Sequence, residues 1–175
     1  LQPRKNLVRL VEAFARSGLH KDGYALVLAG RAGWLAEPLL AAVGALPPAV
    51  RERVHLPGYV DEADKAALLS GATALVFPSL YEGFGFPILE AQACGVPVVC
   101  AGTSSLPEVA GDAALRVDPL DVAVMAAALR RVAGEAGLRE ALIAKGYDNL
   151  ARFRWEEAAA QTLGVLEAVG SGRLA

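Results

Sequence analysis

Two glutamates, Glu82 and Glu90, bracket a loop that reads Glu82-Gly83-Phe84-Gly85-Phe86-Pro87-Ile88-Leu89-Glu90. A carboxylate accepts hydrogen bonds from hydroxyl groups, and bare backbone amides donate them to anions. Gly83 and Gly85 permit positive φ and close approach of a ligand, which a side chain would block. Pro87 suits the first turn of a helix, whose N-terminus adds partial positive charge. Together these features suit a polyhydroxylated ligand that carries phosphate, and a nucleotide sugar is one such ligand. Spacing alone carries little, because 19 of the 175 residues are acidic and pairs eight apart arise by chance. The residues between the two glutamates carry the reading.

Alternating helix and strand patterns position this loop. Leu7, Val8, Val11, Phe14 and Ala15 mark one face of a first helix that stops at Ser17-Gly18. Tyr24 to Ala29 is a near-continuous apolar run ending at Gly30, as expected of a strand buried on both faces. A second helix is expected over 34–46, stopped by Pro47-Pro48. A short strand follows over 54–56, holding His55, and then a helix from Asp61, capped by that residue with Asp64 supporting the dipole. Strands are expected at 74–77, 96–101 and 114–117, with a helix holding Glu90 to Cys94. Three helices over 122–132, 138–150 and 155–169 close the chain, their apolar residues at helical spacing, as at Val122, Met125, Leu129 and Val132. The pattern predicts an α/β, Rossmann-like, doubly wound parallel sheet with helices on both faces, as one domain over residues 1–175. Ligands of such sheets lie beyond the carboxyl ends of the strands, which selects the loops at 30–33, 58–60, 78–87 and 101–107.

Composition narrows the classes. A hydrophobic content of 54% with 21% charge describes a compact domain. The net charge of −2 argues against a nucleic-acid partner. No apolar run approaches membrane-spanning length, and the first residues do not read as a secretory signal. Leu1-Gln2-Pro3-Arg4-Lys5 reads as the middle of a loop, so a piece of a longer protein is expected. Cys94 and Cys100 read as two buried thiols in a reducing compartment, and neither they nor His20 and His55 suggest a metal site.

The central motif, with Cys94-Gly95-Val96-Pro97-Val98-Val99 after it, resembles the retaining glycosyltransferases of family four, and the likeness extends over essentially the whole chain. Lys5-Asn6-Leu7 resembles the family's phosphate-binding lysine segment, and Leu28-Ala29-Gly30 its second strand and glycine. Val54 to Val60 resembles the segment bordering the base; Ser105 to Val109 and Phe153 to Glu156 fit later landmarks. The resemblance implies the donor-binding, C-terminal half of a two-domain enzyme of the B fold. Lys5 would then neutralise the donor diphosphate, and Glu82 would contact hydroxyls of the transferred sugar without acting as a nucleophile. Amides of Gly83, Phe84, Gly85 and Phe86 would hold sugar and phosphate, Glu90 the ribose, and Gly30, Tyr59 and Val60 would frame the base. It further implies a hexose donor, GDP-mannose or a UDP-hexose with a lean to the former, and a glycan or lipid-linked acceptor. Anomeric configuration would be retained through same-face attack guided by the departing phosphate, without cofactor or metal. The resemblance places the enzyme in the cytoplasm or peripherally at the inner membrane face through an N-terminal domain. The isolated domain would bind donor but scarcely transfer sugar.

Two departures accompany the likeness. The family's arginine, a few residues before the lysine, would fall at or before Leu1, and the side chain of Arg4 is expected to point elsewhere. The N-terminal domain that in this family supplies the acceptor site is expected to lie outside residues 1–175. A sugar-nucleotide epimerase, a phosphorylase and a non-catalytic nucleotide-binding or interaction module remain alternatives. Lys65 and Lys145, expected on exposed helix faces, give a phosphorylase no support. A dinucleotide dehydrogenase is disfavoured, since neither Gly30-Arg31-Ala32-Gly33 nor Gly83-Phe84-Gly85 completes a G-x-G-x-x-G pattern. Arg31 reads as a solvated loop residue before a phosphate ligand. Glu108 reads equally as a cleft residue or the cap of a short helix. Trp155 reads as core or interdomain packing, and Met125 and the alanine-rich helix faces as core.

Overall fold

A computed structural model describes residues 2–31, 33 and 36–172. A 3-10 turn at Pro3–Lys5 leads into α1 (Leu7–Ser17), and a second one at Leu19–Asp22 leads to β1 (Leu26–Ala29). Then come α2 (Glu37–Gly44), α3 (Pro48–Arg51), β2 (Val54–Gly58), α4 (Glu62–Ser70), β3 (Leu75–Phe77) and α5 (Phe86–Ala93). The rest is β4 (Val98–Ala101), α6 (Leu106–Ala110), β5 (Ala114–Val117), α7 (Val122–Gly134), α8 (Ala136–Leu150) and α9 (Trp155–Gly170). Every strand pairing is parallel, as the alternation predicts.

Packing assigns helices to both faces. Along β4, Val98 and Cys100 pack with Ile88, Leu106 and Val109 of α5 and α6, while Val99 packs with Ala128 and Val132 of α7. This period of two lets a fully buried strand serve two layers. α1 contributes Leu10, Val11 and Phe14 to a core shared with Leu28, Val54, Met125 and Leu129, so Met125 is a core residue as expected. Asp121 caps α7, accepting hydrogen bonds from the amides of Ala123 (2.8 Å) and Val124 (3.0 Å).

The expected α/β architecture of parallel strands with helices on both faces is present, with the strands of the described residues in two ladders. β1 and β2 form one pair, β3, β4 and β5 a separate triplet, and no ladder joins β1 to β3. The run at 24–29 is accordingly not buried on both faces: Leu28 is buried, but Val27 is 43% exposed. The helix expected over 34–46 is shorter, because Glu37 opens α2 and Pro48 starts a new helix instead of only ending the last; positions 34 and 35 lie outside the described residues. Asp61 occupies the N-cap of α4 but its side chain makes no capping bond. α9 forms where expected, yet none of its residues is buried, so its alanine-rich face is not core. No helix among the described residues is long and apolar enough to cross a membrane.

Cys94 is half-buried instead of buried, whereas Cys100 is fully enclosed and burial pushes its thiol up to about 11. At pH 8 a thiol reagent should therefore modify Cys94 in the native protein and reach Cys100 only on unfolding. Mass spectrometry of the labelled protein checks this; rapid native labelling of Cys100 would contradict the packing.

Candidate functional site

The site is built where β3 ends. Its loop runs through Pro78-Ser79-Leu80-Tyr81 to Glu82, and the backbone of the first turn docks onto it through a hydrogen bond from the Leu80 amide to the Arg4 carbonyl (2.8 Å). Asn6, held in a left-handed conformation at φ 58°, ψ 32°, ends that turn. Its side-chain amide donates to the carbonyls of Pro78 (3.2 Å) and Pro119 (2.6 Å), beyond the carboxyl ends of β3 and β5. Asparagine is among the few residues that visit this conformation readily. The fold thereby places the two basic side chains preceding Asn6 over the loop.

Both reach Glu82. Lys5 Nζ lies 2.6 Å from Glu82 Oε1, and Arg4 Nη1 lies 2.5 Å from Oε2. Lys5 also sits over the Phe77 ring, 4.6 Å from its centroid. Burial pushes the Glu82 carboxyl up, but the hydrogen bonds from Lys5 and Arg4 outweigh it and hold the group below the usual carboxylate range. From the facing loop, Ser104 Oγ accepts the Glu82 amide (3.1 Å), and Ser105 Oγ donates to the carbonyls of Glu82 (3.0 Å) and Phe84 (2.7 Å). The loop is thus clamped from both sides.

Gly85 has φ +117°, and a Cβ there would meet Leu106 Cδ2 at 2.8 Å, so both conformation and space call for glycine. Gly83 does not adopt positive φ, which corrects that part of the expectation; its surroundings are open, and a Cβ there would meet nothing within 4 Å. No hydrogen bond among the described residues engages the amides of Gly83, Phe84, Gly85 or Phe86. These donors stand at the start of α5, where the helix dipole favours an anion. Phe84 and Phe86 are exposed and lie 4.7 Å apart by ring centroids. Trp155 stacks on Phe86 at 6.5 Å and is 77% exposed, so the core reading of Trp155 fails.

Two further clusters flank the loop. Glu90, one turn into α5, accepts from Lys65 of α4 at 2.8 Å, and Lys65 also pairs with Glu62 at 2.9 Å. These hydrogen bonds raise the Lys65 ammonium above its ordinary range. At the ends of β1 and β2, the Gly30 amide donates to the Gly58 carbonyl (2.7 Å). Arg31 lies over the Tyr59 ring at 4.6 Å, joining those two loops, while Val60 is half-buried beside Tyr59. Glu108 is exposed in the first turn of α6.

A profile of the family described as glycosyl transferases group 1 matches residues 1–149. The chain belongs to this family. It is 39% identical over 165 residues to the O-antigen chain mannosyltransferase B of Escherichia coli, a match covering 93% of this chain and 42% of that protein. It is 33% identical over 178 residues to the MMP alpha-(1->4)-mannosyltransferase of Mycolicibacterium hassiacum, covering 94% of this chain and 40% of the relative. Among solved structures, sucrose-phosphate synthase from Thermosynechococcus elongatus superposes with a TM-score of 0.80 at 26% identity, over 98% of this chain and 44% of that one. This glycosyltransferase chain therefore spans about two fifths of the length of these two relatives.

Sequence reasoning about this glycosyltransferase missed two cations. Arg4 does not point elsewhere; it shares Glu82 with Lys5. Lys65 is not simply on a solvated face; it occupies Glu90. The left-handed Asn6 was a possible signal for the first, and none in the sequence pointed to the second.

The Glu82 cluster has a pH signature. Its folded pKa lies below the unfolded value near 4.3, so the pairing stabilises the fold above that value and is lost as pH falls through the folded one. Glu82→Gln should destabilise the protein at pH 7 by on the order of 1 kcal/mol, a modest figure because both cations keep solvent contact. It should also flatten the acid limb of stability. Urea unfolding at pH 7 and pH 3 checks both; an acid limb as steep as the parent's would contradict the assignment.

Proposed function

We propose that this chain is the donor-binding half of a retaining hexosyltransferase that takes its sugar from a nucleoside diphosphate, with a lean to GDP-mannose over a UDP-hexose. One observation carries the reading: Lys5, Arg4 and Glu82 converge beside the uncommitted amides of residues 83–86 at the carboxyl ends of the strands. The two relatives quoted from sequence, both named mannosyltransferases, support the lean to mannose.

In this reading Lys5 moves from Glu82 to the donor diphosphate. There its charge offsets what develops as the bond from the anomeric carbon to the phosphate oxygen breaks. Glu82, relieved of one cation, accepts hydrogen bonds from hydroxyls of the sugar, and the amides of Gly83 to Phe86 take the remaining polar atoms. Glu90 exchanges Lys65 for the ribose hydroxyls, and the loops at Gly30 and at Tyr59-Val60 frame the base. The acceptor hydroxyl bonds to the anomeric carbon from the face the phosphate leaves, and its proton passes to the departing phosphate oxygen. The acceptor, a glycan or lipid-linked sugar, is held by a further N-terminal domain, so residues 1–175 bind donor without turning it over. The enzyme then works in the cytoplasm, at the inner membrane face when its acceptor is lipid-linked.

Calorimetric titration with GDP, UDP and ADP tests the site. Binding of at least one at millimolar concentration is expected, and no binding of any would count against it. Glu90→Ala should weaken nucleotide binding about tenfold, the scale of hydrogen bonds to a charged group. Glu82→Ala should weaken the nucleotide sugar more than the free nucleotide. Equal effects of Glu82→Ala on both ligands would undo this division of roles.

A further inference from the structure

Two short helices carry the walls of the site, and one buried side-chain amide joins them at their far ends. α5 starts at the loop, with Phe86 as its first residue, and carries Glu90 and then Gln92. α6 starts directly after Ser104 and Ser105, which hold the backbone of Glu82 and Phe84 from the opposite side. Its first residue, Leu106, comes so close to Gly85 that a Cβ there has no room. Further along, Gln92 Oε1 of α5 and the Val109 carbonyl of α6 both accept from Asn149 Nδ2 of α8, each at 2.9 Å. The two hydrogens of that amide are thereby committed, one to each helix.

The surroundings of Asn149 fix its direction. Its Oδ1 accepts from Arg152 Nη1 at 2.7 Å, and Arg152 Nη2 donates to the Glu108 carbonyl of α6 at 3.2 Å. Arg116 of β5 donates to the Gly111 carbonyl just beyond, so the far end of α6 is held from two elements. Gly146, three positions before Asn149, lets α8 approach α5: a Cβ there would lie 3.1 Å from Gln92 Cγ. Gln92 and Asn149 are both buried. An apolar pair of similar volume would fill this space without the cost of desolvating two amides. What the amides add is direction, because a hydrogen bond constrains angle as well as distance. The arms from this node to the loop are short and stiff, about one turn of α6 and about two of α5. A tilt permitted at Asn149 therefore reaches the loop.

We propose that Asn149 is a positioning residue of the donor site: by tying Gln92 to Val109 it fixes α5 against α6, and so sets the loop of residues 82–86 against Ser104 and Ser105. It touches no ligand and acts only through these two helices. Its consequence for donor binding rests on the proposed function. Its consequence for the loop is read without any ligand.

Two variants separate direction from packing. Asn149→Leu leaves Gln92 Oε1 and the Val109 carbonyl without their donor, so it lowers stability whatever else Asn149 does. Adding Gln92→Leu makes the contact between α5 and α8 apolar on both sides, which should return much of the lost melting temperature. Hydrogen exchange in the ligand-free protein gives the readout. The Glu82 amide, bonded to Ser104 Oγ, is followed relative to the Val99 amide in the buried central strand β4, which reports global opening. A purely structural loss moves both amides together. We expect Glu82 alone to gain about tenfold in both variants, the scale of one hydrogen bond lost to a local opening. Calorimetry with GDP-mannose should show binding weakened about tenfold in both as well. An unchanged ratio of the two amides in either variant would overturn the proposal, as would its return to the parent value in the double variant. If Asn149→Leu does not fold, the double variant decides. A raised ratio in a protein whose parent binds no nucleotide sugar would leave the positioning role standing and remove the donor reading.

Discussion

The Glu82 carboxylate must be paired to stay ionised where it lies. It is 9% exposed, and burial of an ionised carboxyl is tolerated only with opposite charge and hydrogen bonds at hand. Arg4 and Lys5 meet that requirement, one on each oxygen. The constraint then spreads outward. Arg4 and Lys5 are delivered by a turn that Asn6 terminates and Leu80 anchors, while Ser104 and Ser105 hold the backbone around Glu82 from the opposite loop. Three loops separated widely in sequence are organised about one negative charge.

The same arrangement is suited to exchange. Both glutamates are paired with cations, Glu82 with Lys5 and Arg4, Glu90 with Lys65. In the proposed function a diphosphate competes for Lys5 and sugar hydroxyls for the carboxylates, so that arrival of one ligand would re-partner both ends of the loop. Between them the open amides at the start of α5 do not need to be freed. The glycosyltransferase fold holds this loop between β3 and α5, whose Phe77 and Ile88 pack with Val98 and Cys100 of β4, while Val27 of β1 stays exposed.

Much of this was legible in the chain and some of it was not, for physical reasons. α1 and α7 could be read because their apolar residues repeat at the helical period and meet a core on one side. β4 could be read because it is apolar on both faces and is buried on both. The break beside β1 could not, since strand pairing is a long-range property and Val27 looks the same whether its edge is paired or free. Glu82 and Glu90 were visible through the glycines and proline around them. Their partners were not, because Arg4 and Lys65 lie 78 and 25 positions away and their direction depends on tertiary structure. α9 shows the opposite failure: its pattern forms the helix, but the pattern does not say what covers it.

Cation exchange at the Glu82–Glu90 loop, on arrival of a nucleoside diphosphate sugar, is the step on which the proposed function turns. A crystal structure of the protein with GDP-mannose or a UDP-hexose tests it most directly. We expect Lys5 on the diphosphate, Glu82 on sugar hydroxyls, and Glu90 on the ribose with Lys65 displaced. A donor bound elsewhere, with the Lys5–Glu82 and Lys65–Glu90 pairs intact, would contradict the account.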